Sequence, residues 1–318
     1  MKPAPMTKTM AKAMTKAMTK TAPAQPPAEQ TPWRRFLVDY CESRLAIAAF
    51  ILLMVILFIA LFAPWISPQD PYDLRQLDVL DARLEPGAKM GNGNTALLGT
   101  DDQGRDMLSG IFYGLRISLF VGFTATLLAL LMGATVGMFA AWLGGRTDSV
   151  LMRVADIQLS FPPILIALIL LALLGQGLDK IIAALVTVQW AYYARTIRSA
   201  AMVERRKEYI EAAQVLALPP SRIVFRHLLP NCLPPLIVIA TVQVASAITL
   251  EATLSFLGLG LPITEPSLGL LIANGFNYML SGKYWISMYP GIALLLMIVA
   301  INLVADQLRD ALNPRLQK

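Results

Sequence analysis

The chain has 318 residues, 56% of them hydrophobic and only 15% charged, with a mean hydropathy of +0.58. A soluble domain carries about 25% charged residues, so this composition excludes a water-facing surface over much of the chain and implies an all-α integral membrane protein. Two cysteines, Cys41 and Cys232, are too few and too far apart for a disulfide framework or a metal site.

Residues 1–44 form a basic tail and linker. Lys8, Lys12, Lys16 and Lys20 recur every four residues, with Met6, Met10, Met14 and Met18 between them. The repeat reads either as a flexible tail or as a helix whose basic stripe lies on anionic lipid. No apolar h-region follows it, so a signal peptide is not expected. Residues 21–32, rich in Pro, Ala and Gln, read as a linker.

About 20 apolar residues cross a hydrocarbon core of about 30 Å. Six segments come close: residues 45–66, 117–143, 152–174, 178–197, 233–261 and 285–304. The second carries Gly122, Gly133 and Gly137, which allow helices to approach closely. The third contains Pro162-Pro163, which predicts a kinked helix. The fourth is the weakest, with Gln189 inside it. Between them lie an outer loop (67–116), a long second loop (199–232), a further outer loop (262–284) and a tail (305–318).

Lys and Arg accumulate on the cytoplasmic side of membrane proteins. With the N-terminus inside, the cytoplasmic segments hold 20 of the 27 and the outer segments hold 7. Both termini are therefore expected in the cytoplasm, with both cysteines near the reducing side. The net charge of +6 follows from this topology, and nucleic-acid binding is not required.

In the second loop, residues 202–217 suit a helix, which Pro219 and Pro220 stop. Ser221 is placed to cap a second short helix, and Pro230 to end it before the fifth span. The expectation is a basic helix–turn–helix projecting into the cytoplasm.

Glu211-Ala212-Ala213, followed at fixed distance by Ile223, Leu229, Pro230 and Asn231, resembles the EAA loop of ABC importer permeases. Four further stretches narrow the resemblance. They are Leu98-Gly99-Thr100-Asp101-Asp102-Gln103-Gly104-Arg105-Asp106 with Tyr113-Gly114-Leu115-Arg116-Ile117-Ser118-Leu119, Met152-Arg153-Val154-Ala155-Asp156, Leu254-Ser255-Phe256-Leu257-Gly258-Leu259-Gly260, and Leu308-Arg309-Asp310-Ala311-Leu312-Asn313-Pro314. Together they are similar to the C-type subunit of dipeptide, oligopeptide and nickel permeases over about residues 35–318. The chain departs from the pattern at Ala217, where the family has Gly, at Gly110, where an Arg is common, and at Leu268, where a Trp is usual.

The resemblance implies the type I importer permease fold and a multi-pass place in a bacterial cytoplasmic membrane. It implies pairing with a second, unlike permease, two ATPase subunits beneath, and an extracytoplasmic binding protein that delivers substrate. ATP and Mg would be held by the ATPases and no cofactor by this chain, which lacks a GxxxxGK[ST] phosphate loop. Peptides fit the family best as cargo; nickel chelates, opines and sugars occur among its relatives.

The residues admit bland and functional readings. Glu211 alone is an ordinary exposed helix residue; within the motif it becomes the docking contact, with Ala212 and Ala213 leaving room for an ATPase cleft. Ala217, Ser221, Arg226, His227 and Pro230 complete the coupling loop; Arg226 pairs either with ATPase acids or with lipid phosphate, and His227 reads as structural. Glu204, outside the motif, is expected to tolerate Ala. Glu251 lies inside a span, where acids are rare and face protein or water. With Ser255, Gln158 and Gln189 it is a pathway candidate, or else a packing hydrogen bond. Asp156 is expected to pair with Arg153 or Arg195. Gly99, Thr100, Asp101, Gly104, Arg105 and Asp106 either order the outer loop internally or contact the binding protein.

Competing classes fare worse. A self-contained channel or secondary transporter would need its own coupling-ion site and an inverted repeat, neither of which is visible. A membrane enzyme would need a catalytic cluster; HExxH and GxSxG are missing, and no acid pair on one helix is convincing as a catalytic pair.

Overall fold

A computed structural model describes residues 43–73 and 75–312. The Lys/Met repeat, the linker, Cys41 and the end of the Asn313-Pro314 motif lie outside the described residues.

Helix α1, Arg44–Ile66, begins where the Ser43 hydroxyl accepts the Ala46 N–H at 3.3 Å. Its apolar side chains leave Phe58, Leu61 and others exposed, as a lipid-facing helix requires. Helix α2, Met107–Leu143, is 37 residues long, about 55 Å at 1.5 Å per residue. It starts at Met107, well before residue 117. Its first turns carry Ser109, Tyr113 and Arg116, which hydropathy reads as loop; Ser109 accepts the Gln69 N–H at 3.1 Å and Tyr113 packs edge-on against Tyr72 of the outer segment, while Arg116 is exposed.

The expected kinked span over 152–174 is instead two helices, α3 (Gly145–Leu159) and α4 (Pro163–Leu174), bent by 90°. Proline pairs do more than kink: Pro163 takes the first position of α4, and Pro162 ahead of it is held at ψ 129°. Helix α5, Leu178–Glu204, runs past residue 197. Helix α6, Glu208–Val215, follows a turn at 205–207, so the helix expected over 202–217 is divided.

Helix α7, Pro220–Phe256, is continuous. Pro230 does not end it. Residues Ile223–Leu228 take the wider π-helical turn, and the Leu229 N–H bonds the Val224 carbonyl five residues back. That register absorbs a proline with no N–H of its own. Helix α8, Leu268–Phe276, fills part of the 262–284 loop, and α9, Trp285–Leu312, continues through residues expected as tail.

Among the described residues, α1, α2, α7 and α9 are long and apolar enough to cross a membrane, and the bent α3–α4 pair is a fifth candidate. The expected fourth span lies in α5, which fails on composition because Asp179, Lys180, Arg195 and Arg198 sit on it. Its inner face is nonetheless buried: Leu185, Ala191, Tyr193 and Ile197 pack on α2 and α7. Gly133 and Gly137 make that contact close. A Cβ at either would fall within 2.3 Å of the Trp190 or Ala194 carbonyl oxygen. The outer segment carries a hairpin of two short antiparallel strands, β1 (Ala88–Lys89) and β2 (Thr95–Ala96), paired Ala88 to Ala96 and Lys89 to Thr95.

Candidate functional site

The second loop sits at the end of the bundle where α2 finishes. Arg205 fixes it there, donating to the Ala141 and Trp142 carbonyls at 2.9 Å each and stacking on the Trp142 ring. Glu204 is buried. It accepts the Tyr209 hydroxyl and pairs with Lys207 at 2.8 Å. Burial and the adjacent Glu204 push the Tyr209 phenol up to about 12, so it remains a donor. Glu204 is thus the anchor of the turn and not the neutral position its place outside the motif implied.

Helix α6 ends in a left-handed residue, Ala217, at φ +52°. The Leu218 N–H reaches the Ala213 carbonyl at 3.2 Å and the Ala217 N–H reaches Gln214 at 2.9 Å. This is the two-bond Schellman closure that normally employs glycine. Leu218 also packs on the small cluster of Ile210, Ala213 and Ile223, supplying its hydrophobic contact. The missing glycine has left the turn geometry intact, at about 1–2 kcal/mol of left-handed strain.

The three motif residues separate. Glu211 and Ala212 are exposed on α6, whereas Ala213 is 5% exposed and faces Ile210 and Ile223. Ala213 therefore spaces α6 from α7 within this chain and cannot line an outside cleft. Ser221 does not cap a helix: Pro219 holds the cap position, with no side-chain bond. Ser221 and Arg226 are exposed, His227 is half-buried, and Pro230 is exposed beside Asn231, whose amide donates to the His227 carbonyl at 2.7 Å. Sequence reasoning missed the apolar tip of Val215 (86% exposed) and Leu216 (73%), and exposed Phe225, which borders a recess with Leu130, Met138 and Phe139 of α2. Their signal was present, three large apolar residues on a loop already read as surface.

Within the bundle, Glu251 and Ser255 are fully buried and line no open path. Ser118 of α2 donates to one Glu251 oxygen at 2.9 Å, and Ser255 to the other at 2.8 Å. Gln158 is half-buried at the end of α3. It accepts the Trp190 indole N–H at 2.6 Å and donates to the Thr187 carbonyl. Asp156 pairs with Arg195 at 3.6 Å. Gln189 borders an open space, a groove of about 460 Å³ between α4, α5, α7 and α9. Its amide donates to the Gln243 carbonyl at 3.0 Å, and Thr126 donates to its oxygen at 3.4 Å.

At the other end of the bundle the outer motif folds on itself. Asp101, Arg105 and Asp106 are buried. Asp101 accepts the backbone N–H groups of Gln103 and Arg105 at 2.8 Å each, and its second oxygen lies 3.8 Å from Arg105 Nε. Burial outweighs these contacts and holds the Asp101 carboxyl up at about 6. Arg105 also donates to the Ile263 carbonyl at 2.7 Å, tying the two outer loops together. Asp106 caps α2 through the Ser109 N–H at 2.8 Å. Thr100 donates to the Asp81 carbonyl and accepts the Leu84 N–H. Gly99 and Gly104 both have positive φ, and a Cβ on Gly104 would strike the Asp78 carbonyl oxygen at 2.2 Å. Among the described residues no group of three His, Cys, Asp or Glu is placed to hold a metal ion.

Comparison with known proteins agrees with this architecture. Residues 133–318 match the family described as binding-protein-dependent transport system inner membrane component. Residues 31–86 match the N-terminal transmembrane domain of oligopeptide transport permease C. The chain is 36% identical over 288 residues to a di/tripeptide transport system permease of Pseudomonas aeruginosa, covering 90% of this chain and 93% of that one. It is 38% identical over 293 residues to a dipeptide transport system permease of Escherichia coli K12, covering 92% and 96%. In fold it is similar to a chain of the MetNI methionine ABC transporter in an inward-facing conformation. The TM-score is 0.53 at 20% identity, over 65% of this chain and 98% of that one.

Proposed function

The chain belongs to the binding-protein-dependent transport system inner membrane components, and from that premise we propose that it forms one half of a heterodimeric path for di- and oligopeptides, driven by ATPases that dock on α6. It is a permease subunit of an ABC importer, a multi-pass protein of the bacterial inner membrane with ATPase partners and a substrate-binding protein. The second permease, both termini in the cytoplasm, and ATP and Mg held by the ATPases and not by this chain are part of the proposal. The 20 to 7 distribution of Lys and Arg supports the orientation. The peptide cargo is supported by the relatives named for di/tripeptide and dipeptide transport.

One observation carries the coupling role: the loop and the groove share a single helix. The apolar end of α6 at Val215 and Leu216 follows exposed Glu211 by one turn, a combination suited to a desolvated cleft with a cationic partner. The Schellman turn at Ala217 then joins α6 rigidly to α7, and α7 runs on to Gln243 and Thr253 at the groove. A tilt imposed on α6 by ATPase closure is delivered to the groove without a flexible joint. In this reading Arg226 meets lipid phosphate or ATPase acids at the rim, and the outer motif shapes a platform for the binding protein.

The test is co-purification. The chain expressed with its candidate partner permease and ATPases should retain both ATPases, and Leu216→Asp should release them while leaving the permease pair intact. Retention of the ATPases by Leu216→Asp at the wild-type level sinks the docking assignment. Thiol labelling in intact cells checks orientation: Gln76→Cys should react with an impermeant reagent and Lys207→Cys should not.

A further inference from the structure

The groove beside Gln189 is bordered by a polar row along α7. Gln243, Ser246, Thr249 and Thr253 recur at three- and four-residue spacings, so they share one face. Ser246 and Thr249 are exposed, in a helix otherwise apolar enough to cross a membrane. Asn302 of α9 and Tyr192 of α5 border the same space. Among the described residues no charged side chain lines it.

A second observation marks the same place. The backbone between α3 and α4 is non-helical at Ser160–Pro162, and its side chains are exposed. Helix α4 has only 12 residues, about 18 Å, so the break lies deep in a core of about 30 Å. Irregular backbone at that depth is tolerated only against protein or a water-filled cavity. Pro163, the first residue of α4, lines the groove. The break therefore ends at the edge of the groove that the polar row borders.

We infer that this row is the chain's own half of the solute path, and that it is built for peptides through uncharged acceptors. The inference rests on the transport reading above and deepens it. The hydroxyl protons are already used: Ser246 donates to the Val242 carbonyl at 3.2 Å, Thr249 to Ala245 at 2.8 Å and Thr253 to Thr249 at 2.7 Å. Each oxygen keeps lone pairs for an incoming N–H. Gln243 and Asn302 add amides that match a peptide bond as both donor and acceptor. A ladder of weak, similar sites lets a zwitterionic solute move on, because no fixed charge holds it. The lining offers no His, Cys or carboxylate to a bare metal ion.

The assembled complex, with partner permease, ATPases and binding protein in proteoliposomes, provides the test. Ser246→Cys and Thr249→Cys are treated with a bulky methanethiosulfonate, and uptake of alanyl-alanine is measured. Modification should reduce uptake at least tenfold, while the parent complex and lipid-facing Leu61→Cys keep theirs. Thr249→Lys should depress alanyl-lysine uptake at least tenfold more than alanyl-glutamate, and Thr249→Asp should reverse the order. If modified Ser246→Cys and Thr249→Cys import at the parental rate and both charge variants leave the ratio unchanged, the row is not the path, although the transport reading stands. If the parent complex imports none of the three dipeptides, the peptide reading itself fails and this inference falls with it.

Discussion

Ser118 of α2 donates a 2.9 Å hydrogen bond to Glu251 of α7, joining the two central helices at a point sealed from solvent. Ser255 holds the other carboxylate oxygen from one turn further along α7. Buried and held at both oxygens, Glu251 is expected to act in packing: Glu251→Gln, which keeps an acceptor oxygen, should assemble normally and change uptake less than twofold. Glu251→Ala leaves two buried hydroxyls without acceptors and opens a void, at about 2–4 kcal/mol. Thermal unfolding of the purified complex should show that loss for Ala and not for Gln; equal stability of all three would remove the structural role.

Ala217 occupies a left-handed position that glycine fits without a Cβ penalty. Ala217→Gly should therefore stabilise the loop by about 1 kcal/mol, with uptake unchanged. Ala217→Val, β-branched at positive φ, should destabilise it and weaken ATPase retention. Differential scanning fluorimetry orders the three; a glycine variant less stable than wild type would contradict the Schellman assignment.

Much of this architecture is legible in sequence, and the failures have physical causes. Hydropathy locates α1 almost to the residue because it is apolar all round, on its exposed face as well as on the face that packs at Ile56 and Ala60. It misplaces the start of α2, where Ser109 and Tyr113 sit in the first turns of the helix against Gln69 and Tyr72 of the outer segment. It reads Pro162-Pro163 as a kink and Pro230 as a stop because proline rules are local. Whether a helix breaks or widens depends on what receives the freed carbonyls. The coupling loop is found by pattern, but of Ala212 and Ala213, adjacent and chemically identical, one ends exposed and the other buried. Pathway residues are the least legible: Glu251 draws attention as a charge in a span, while the exposed Ser and Thr row on the same helix reads as ordinary composition until its neighbours are known.

Asp101 should make the stability of the outer segment pH-dependent. Burial lifts its folded-state pKa to about 6, above the ordinary carboxyl value, against the pull of Arg105. Between about pH 4 and 6 the folded segment binds more protons than the unfolded one. Its contribution is therefore largest below pH 4 and is lost as pH rises through 6, by an amount on the order of 2–3 kcal/mol. Trp285, whose indole nitrogen lies 3.4 Å from the Thr100 carbonyl, reports on the segment by fluorescence. Its denaturation midpoint should be higher at pH 4.5 than at pH 7.5 in wild type, and Asp101→Asn should flatten that difference. A midpoint that rises with pH would mean the Arg105 pairing dominates instead.

The adjacent alanines give the sharpest test of how the loop works. Ala212 is exposed beside Glu211, and Ala213 is buried against Ile210 and Ile223. Ala212→Trp adds bulk where a partner would seat, so it should abolish ATPase retention and leave the chain's own stability within about 0.5 kcal/mol, as for other surface changes. Ala213→Trp overpacks the joint between α6 and α7, at about 1–3 kcal/mol, and should lower the unfolding temperature even without ATPases. Glu211→Ala should behave like the first variant, because it removes a charged contact at the docking face. Glu204→Ala should behave like the second, because Tyr209 and Lys207 lose their buried partner. Two readouts on one panel, ATPase retention and unfolding temperature of the permease alone, separate a docking face from its internal support. If Ala212→Trp and Glu211→Ala retain the ATPases fully, α6 meets its partner elsewhere, and the apolar tip at Val215 and Leu216 must act without the carboxylate.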